Sequence, residues 1–418
     1  MPDGMVPSGN PKARASIFQA SITLTRYECP MKRLFLLALV GLLLGGTATA
    51  QPTYAQFVDR AGAQMNQKDF CAAVLTFQQA FADSTQAGPF DLFAGGIAAA
   101  NCPGRQALAF EWLLRLPRRP DLPISSRDVE NMAQEAGLAS LRAAPQWAVL
   151  LARLRAVAAR RDEQARQTAA AWVQTAEGRA LPARRRGRFA TAQPGLALYY
   201  APADTVKVPY LVYVPRRYQP TRPTALLVYL HGGIASTMQF QHHEPAVSQE
   251  PIFKAADSLN ALVLYPFGRK SFGWLEQRAA LENVRTMITQ VQARYHIEAQ
   301  RVYLGGMSNG GTAAYWYACQ APAGFAGFFA LLARPASALG PLNFERFRTG
   351  APLYSLHAED DEVVAHKDVR AVYDEQRAVA RQWHFTSRPT GGHGFLYGPD
   401  GGEALRELLV QLLAATRR

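Results

Sequence analysis

The spacing of apolar positions divides the chain into three stretches of different character. An uninterrupted apolar run, Leu34–Leu44, comes first. From Tyr54 to Arg166, alanine, leucine and glutamine dominate, and Phe70, Ala73 and Phe77 recur at helical spacing on one face. From Gly195 onward, short apolar runs alternate with helical periodicity. The pattern predicts a helical domain over residues 51–166, a linker over 167–194 and a third domain over 195–418.

The third stretch predicts an α/β fold. Seven runs have the composition of strands: Leu196–Tyr200, Val208–Val214, Ala225–Leu230, Ala261–Tyr265, Arg301–Leu304, Phe325–Leu332 and Leu353–His357. Five have helical periodicity: Ile252–Leu259, Leu281–Tyr295, Thr312–Cys319, Lys367–Ala378 and Glu403–Ala414. The first two strands read as a hairpin, and the alternation after them predicts a mostly parallel sheet with helices on both faces.

The helical stretch resembles a tetratricopeptide-repeat module, whose period is about 34 residues. The match is partial, since the first helix of the first unit lacks the usual aromatic residue. Residues 138–154 read as a closing helix. The resemblance implies either a surface for a protein partner or self-association, or a domain that only positions its neighbour.

The start of the chain has the order of a secretory signal peptide: Met31-Lys32-Arg33, the apolar run, then Ala48-Thr49-Ala50. The run of about eleven residues is too short to span a bilayer as a helix. We expect cleavage after Ala50, a periplasmic or secreted protein, and no stable membrane anchor. Residues 1–30 would then precede the true start at Met31.

Composition and charge narrow the picture further. Of 418 residues, 49% are hydrophobic, which excludes a disordered or fibrous chain. The net charge is +13, and ten arginines against three acidic residues lie between Arg153 and Arg188. Because no nucleic-acid-binding motif accompanies them, a solvated helix and linker is the favoured interpretation. Cys71 and Cys102 could pair in an oxidising compartment, whereas Cys319 reads as a buried free thiol.

Four loops that follow predicted strands carry the candidate chemistry. In Gly306-Met307-Ser308-Asn309-Gly310, a strand runs directly into G-x-S-x-G and a helix, an arrangement that exposes a nucleophilic serine. In His231-Gly232-Gly233, glycine lets a backbone N–H face a substrate oxygen. We expect Gly233, or else Ile234, to form an oxyanion hole with the N–H of Asn309, while His231 braces the loop.

The other two loops supply an acid and a base. The acidic loop after Leu353–His357 offers Asp361, with Asp360 as its rival, and the glycine-flanked His393 follows the last strand. Serine needs a base to take its proton, and a carboxylate must orient the imidazole. The chain order Ser308, Asp361, His393 is the one that a G-x-S-x-G fold of this kind uses.

These motifs resemble the α/β-hydrolase superfamily. The segments VYLGGMSNGGTAA, LVYLHGG and GGHGF are similar to those of the polyhydroxybutyrate depolymerase, feruloyl esterase and carboxylesterase group, over residues 195–418. The resemblance implies an esterase acting through an acyl-enzyme on Ser308, with His393 as base and then acid. It implies no metal or cofactor, and a small or polymer-attached ester as substrate.

Only a short connection lies between Leu332 and Ala351, so we expect an open cleft without a lid, which Phe272 and Trp274 could line. Two other functions stay open on the residues alone. One is a serine peptidase on the same fold, and the other is a binding protein whose repeats act while the sheet is a scaffold.

Overall fold

The computed structural model describes residues 52–83, 85–203, 206–233, 241–267, 274, 278–320, 324–336 and 340–416. The signal-peptide prediction, Ile234 and Phe272 lie outside these residues. Among these residues, six α-helices precede the sheet: α1 (Tyr54–Asn66), α2 (Phe70–Ala80), α3 (Pro89–Asn101), α4 (Gln106–Leu113), α5 (Ser126–Gln134) and α6 (Pro145–Gly178). Five follow its first strands: α7 (Pro251–Leu259), α8 (Arg278–Gln292), α9 (Asn309–Gln320), α10 (His366–Gln376) and α11 (Gly401–Ala415).

In the described part of the chain, eight strands form one mixed sheet in the order β1-β2-β4-β3-β5-β6-β7-β8. They are β1 (Gly195–Ala203), β2 (Val206–Val214), β3 (Thr224–Leu230), β4 (Leu262–Pro266), β5 (Ile297–Met307), β6 (Gly327–Leu331), β7 (Leu353–Ala358) and β8 (Trp383–Arg388). Strands β1 and β2 form an antiparallel hairpin, β2 pairs antiparallel with β4, and every other pair is parallel.

Alternating side chains of the central strands enter two separate cores, one on each face of the sheet. In β3, Leu226 and Val228 belong to the core under α8 and α9, whereas Leu227 and Tyr229 belong to the core under α7 and α11. Because both faces are covered, β3 is buried at every position, which explains its continuous apolar sequence. The prediction of a mostly parallel sheet with helices on both faces is confirmed.

The seven strand predictions are also confirmed in position, and the longest departure is at β5. This strand begins at Ile297, four residues before the predicted start, because its first residues reach an exposed end of the sheet. Strand β8 was not delimited in the sequence, since its residues alternate between polar and apolar side chains without a continuous apolar run.

The linker prediction is wrong for residues 167–178. Helix α6 continues through them to Gly178, because no glycine or proline interrupts the alanine-rich sequence after Pro145. Its first half packs with the other helices through Trp147, Leu150 and Leu154. Its last turns pack on the sheet, where Ala176 is fully buried. The first half of α6 therefore belongs to the core of the helices before the sheet, and its last turns belong to the core on one face of the sheet.

The helices before the sheet form their own core, and a disulfide joins Cys71 of α2 to Cys102 at the end of α3. Cys319 is a buried free thiol. Gly95 and Gly96 of α3 lie against Trp112 and Leu113 of α4, where an added methyl group would overlap the side chains.

The tetratricopeptide-repeat assignment stays a prediction. Within the described part of the chain, no helix has the length and apolarity needed to cross a membrane.

Candidate active site

Ser308 stands in a strained turn between β5 and α9. Its φ angle is +51°, a left-handed conformation that is costly for a residue with a side chain. The turn is held because the Ser308 N–H donates to the Leu331 carbonyl at the end of β6, 2.8 Å away. The serine is therefore presented at the carboxyl edge of the sheet, at the amino terminus of α9.

The glycines of this turn are required by close packing against the end of β3. A Cβ atom at Gly306 would lie 2.2 Å from the Leu230 carbonyl oxygen, and one at Gly310 would lie 2.0 Å from it. Neither distance is possible between real atoms, so both positions exclude any side chain. The sequence G-x-S-x-G is thus explained by contact with the neighbouring strand as well as by the turn.

The His393 imidazole connects Ser308 to Asp361. His393 Nε2 lies 3.0 Å from Ser308 Oγ, and His393 Nδ1 lies 2.9 Å from Asp361 Oδ2 and 3.1 Å from Oδ1. Since a carboxylate can only accept, the Nδ1 atom carries the proton and Nε2 is left to accept the serine proton. The Asp361 side chain is completely buried, and that of His393 is 17% exposed.

Asp361 is fixed by its own loop. Its Oδ1 accepts the N–H groups of Val363 and Val364, at 2.9 and 2.7 Å. These two bonds form a turn of the Asx type, which orients the carboxylate independently of its contact with the imidazole.

Asp360, the rival in the sequence, has a different contact. Its two carboxylate oxygens accept the backbone N–H groups of Gly391 and Gly392, at 3.0 and 2.8 Å. Both glycines have positive φ angles, +125° and +60°, so successive N–H groups converge on one anion. The neighbouring Glu362 accepts the backbone N–H of His393 at 3.2 Å. Three consecutive carboxylates thus bind three parts of the loop that carries the imidazole.

The predicted oxyanion loop lies beside the serine turn. Gly233 has a φ angle of +68°, and its carbonyl accepts the side-chain amide of Asn309 at 2.8 Å. This bond joins the two loops that carry the predicted N–H donors, Gly233 and Asn309. Asn309 begins α9, so its N–H is one of the groups at a helix start that lack an acceptor within the helix.

His231 lies beneath this loop and is 2% exposed. Its Nδ1–H donates to the Gly232 carbonyl at 2.8 Å, and burial lowers the pKa of His231 to about 4. A neutral, buried imidazole of this kind supports the loop from below, as the sequence led us to expect.

Trp274 does not line an open cleft. It is 3% exposed, and its indole packs edge-on against the His231 ring at 5.5 Å. The described part of the connection from Leu332 to Ala351 holds one short 3₁₀ helix, Phe344–Phe347.

Sequence reasoning missed two buried titratable groups, one beside Asp361 and one at the start of α7. His357, at the end of β7, places its Nε2 3.2 Å from Asp361 Oδ2. Glu250, at the start of α7, is 6% exposed and accepts a hydrogen bond from the Tyr397 hydroxyl at 3.2 Å. Burial raises the pKa of Glu250 to about 7. His357 ends a predicted strand, a position that could have flagged it, whereas nothing around Glu250 marks it.

Among the described residues, no group of three His, Cys, Asp or Glu side chains is arranged to hold a metal ion.

No family model matches the chain. A curated relative, the bifunctional acetylxylan esterase/xylanase XynS20E of Neocallimastix patriciarum, is 26% identical over 170 residues, which is 40% of this chain and 23% of the relative. The chain thus matches about a quarter of that protein's length.

Solved structures with some similarity include three esterases. A thermostable esterase is 22% identical at a TM-score of 0.41, over 53% of this chain and 63% of that one. Est1E of Butyrivibrio proteoclasticus is 14% identical at 0.39, over 52% and 99%. A Thermogutta terrifontis esterase, Est2 with propionate bound, is 16% identical at 0.42, over 53% and 94%. Scores at this level do not assign a fold, so the architecture rests on the strand order and hydrogen bonds described above.

Proposed function

We propose that this protein is a serine esterase of the α/β-hydrolase fold, which cleaves carboxylic esters through an acyl-enzyme on Ser308. The observation that carries the proposal is the continuous set of short contacts from Ser308 Oγ through the His393 imidazole to the buried Asp361 carboxylate. A serine hydroxyl in contact with a neutral imidazole, itself bound to a carboxylate, is the arrangement that activates serine for acyl transfer.

In the proposed reaction, Ser308 Oγ attacks the ester carbonyl carbon while His393 Nε2 takes the hydroxyl proton. Asp361 stabilises the resulting imidazolium. The negative oxygen of the tetrahedral intermediate faces the backbone N–H groups of Gly233 and Asn309 at the start of α9. Collapse of the intermediate expels the alcohol, which receives the proton from His393. Water, activated by the same imidazole, then attacks the acyl-enzyme and releases the carboxylic acid.

The substrates we propose are small or polymer-attached esters, and an acetylated sugar is the first to try because the curated relative is named as an acetylxylan esterase. We also propose that the protein is exported after cleavage behind Ala50. The Cys71–Cys102 disulfide supports export, since such bonds persist mainly in oxidising compartments. The helices before the sheet are proposed to bind a protein partner or a second copy.

Labelling with a fluorophosphonate probe tests the proposal. We expect the probe to react with the native protein and with Ser258→Ala, which removes an exposed serine of α7. Ser308→Ala should lose labelling and lower ester turnover by about 10⁶-fold. Equal labelling of Ser308→Ala and the native protein would refute the assignment. A panel of acetyl-sugar, aryl and hydroxyalkanoate esters alongside peptide amides separates an esterase from a peptidase, which would cleave the amides instead.

A further inference from the structure

A second imidazole lies against the carboxylate of the candidate site. His357 is 1% exposed at the end of β7, four residues before Asp361. Its Nε2 atom is 3.2 Å from Asp361 Oδ2, the oxygen that also contacts His393 Nδ1 at 2.9 Å. Asp361 is therefore placed between two histidines, only one of which contacts the serine.

The proton of His357 can be assigned from its other contact. The same Nε2 atom lies 2.8 Å from the Val364 carbonyl oxygen, which can only accept, so Nε2 carries the hydrogen. Burial lowers the pKa of His357, so its ring is neutral at pH 7. The neutral ring therefore donates its hydrogen to the Val364 carbonyl, and Asp361 Oδ2 lies beside the same nitrogen at 3.2 Å.

This N–H closes the turn around Asp361. The Asp361 carboxylate accepts the N–H of Val364, and His357 binds the carbonyl of the same residue. The N–H of Val364 is therefore held by Asp361, and its carbonyl is held by a side chain of β7. Asp361 Oδ2 lies 3.2 Å from the same His357 nitrogen, so the carboxylate also packs directly beside the ring that holds this turn.

The His357 ring lies beside the neighbouring strand, β8, and the start of α10. His357 pairs with Ser387 of β8, and the Ser387 hydroxyl contacts His366 Nε2 at 2.7 Å. The His366 and His357 rings are 5.9 Å apart. The charged or titratable groups around His357 are thus Asp361, His366 and His393.

We propose that His357 is a positioning residue, whose N–H holds the Val364 turn and the Asp361 carboxylate in the orientation that His393 requires. This inference rests on the proposed function, because it assigns His357 a part in the same reaction. His357 touches neither Ser308 nor a substrate, and it acts through Asp361.

The test is a matched pair of substitutions. Glutamine places an amide N–H where His357 Nε2 stands, whereas methionine has a similar length and no donor. We expect His357→Met to lower kcat by roughly tenfold to a hundredfold with KM within about twofold, and His357→Gln to restore most of kcat. His384→Gln, which replaces an exposed imidazole of β8 that packs on Tyr354, is the control and should keep native kcat. If His357→Met does not fold, His357→Asn, whose amide is one bond too short, takes its place.

A second readout needs no substrate. The low-field proton NMR resonance of His393 Nδ1–H, assigned by its loss in His393→Gln, reports the bond to Asp361. We expect this resonance to move or broaden in His357→Met and to return in His357→Gln. Unchanged kcat and resonance in His357→Met, or equal impairment of the Gln and Met variants, would overturn the inference. If the native protein does not react with fluorophosphonate but the resonance responds as expected, the proposed function fails and the positioning contact stands.

Discussion

Individual side chains at the candidate site are distinguished by what they contact rather than by their chemical type. Asp360, Asp361 and Glu362 are adjacent carboxylates, yet one binds glycine backbone, one binds an imidazole and one binds the backbone of His393. Only Asp361 is buried. Because a buried carboxylate in contact with an imidazole has the strongest electrostatic effect, its neighbours should matter less for catalysis.

The first prediction ranks Asp361 above Asp360 in its effect on catalysis, with Glu359 as the control. Asp360→Ala removes the acceptor for Gly391 and Gly392, so the loop carrying His393 loosens and kcat for an ester should fall by about tenfold. Asp361→Ala removes the partner of the imidazole and should cost about 10⁴-fold. Glu359→Gln, an exposed neighbour, should be neutral. Steady-state kinetics of the three variants measures the ranking, and a larger loss for Asp360→Ala than for Asp361→Ala would reverse the assignment.

The second prediction concerns the pH dependence of stability through Glu250. Its pKa is about 7 in the folded protein against a usual 4.5, so the folded state holds a proton that the unfolded state has lost between these values. Stability therefore falls as pH rises from about 4.5 to about 7, and above this range the cost is about 3 kcal/mol. Glu250→Gln should remove the cost at pH 8 and change nothing through ionisation at pH 4.

Urea unfolding at pH 4, 6 and 8 measures this difference. Glu375→Gln, at an exposed position of α10, is the control and should show no such trend. A stability difference between Glu250→Gln and the native protein that is the same at all three pH values would contradict the explanation.

Among the secondary-structure elements, the β5–α9 turn is the most constrained. Its glycines touch the Leu230 carbonyl of β3, so the turn, β3 and the oxyanion loop that follows β3 form one packed unit. This contact fixes the distance between the serine and the predicted N–H donor at Gly233. The packing that holds the turn therefore also sets the position of Ser308 relative to Gly233.

The third prediction follows from that contact. Gly310→Ala places a methyl group 2.0 Å from the Leu230 oxygen and should lower the free energy of unfolding by about 3 kcal/mol, since neither backbone can move freely. Gly402→Ala, in α11 with nothing within 4 Å of the added atom, should instead stabilise the protein by roughly 0.5–1 kcal/mol. Chemical denaturation compares the two, and equal stability of both variants would refute the packing argument.

At the scale of the whole molecule, helix α6 joins the core of the first helices to the sheet. Trp172 donates from its indole N–H to the His242 carbonyl at 3.0 Å, and the Leu181 N–H that follows the helix donates to the Tyr199 hydroxyl at 2.7 Å. Arg184 N–H continues the attachment with a bond to the Ala293 carbonyl at 2.7 Å. Residues 172–184 are therefore bonded to a loop, to β1 and to the end of α8, all within the third stretch of the chain.

The fourth prediction tests this anchoring. Ala176→Glu places an unpaired carboxylate in the core between α6 and the sheet, which should destabilise the protein by roughly 3–5 kcal/mol. Ala171→Glu, exposed on the same helix, should change stability by no more than about 0.5 kcal/mol. Thermal unfolding of both variants measures the effect, and a mild effect of Ala176→Glu would mean that α6 is only loosely attached.

Much of this architecture could be predicted because its signals are local. Apolar runs mark strands buried on two faces, helical spacing marks the helices, and the G-x-S-x-G sequence around Ser308 marks a turn from a strand into a helix. These signals depend on residues a few positions apart, so one sequence contains them. Strand β8, half polar because it lies at the edge of the sheet, lacks such a signal.

What the residues could not reveal is which side chains meet across long distances in the chain. Asp360 and Asp361 differ by one position, and a step of one residue in a loop turns a side chain from backbone glycines to an imidazole. The contacts of His357 with Asp361 and of Glu250 with Tyr397, and the docking of α6 on the sheet, likewise depend on strand order and register. Local periodicity fixes the elements, whereas their packing fixes the partner of each buried polar group, because that partner comes from another element.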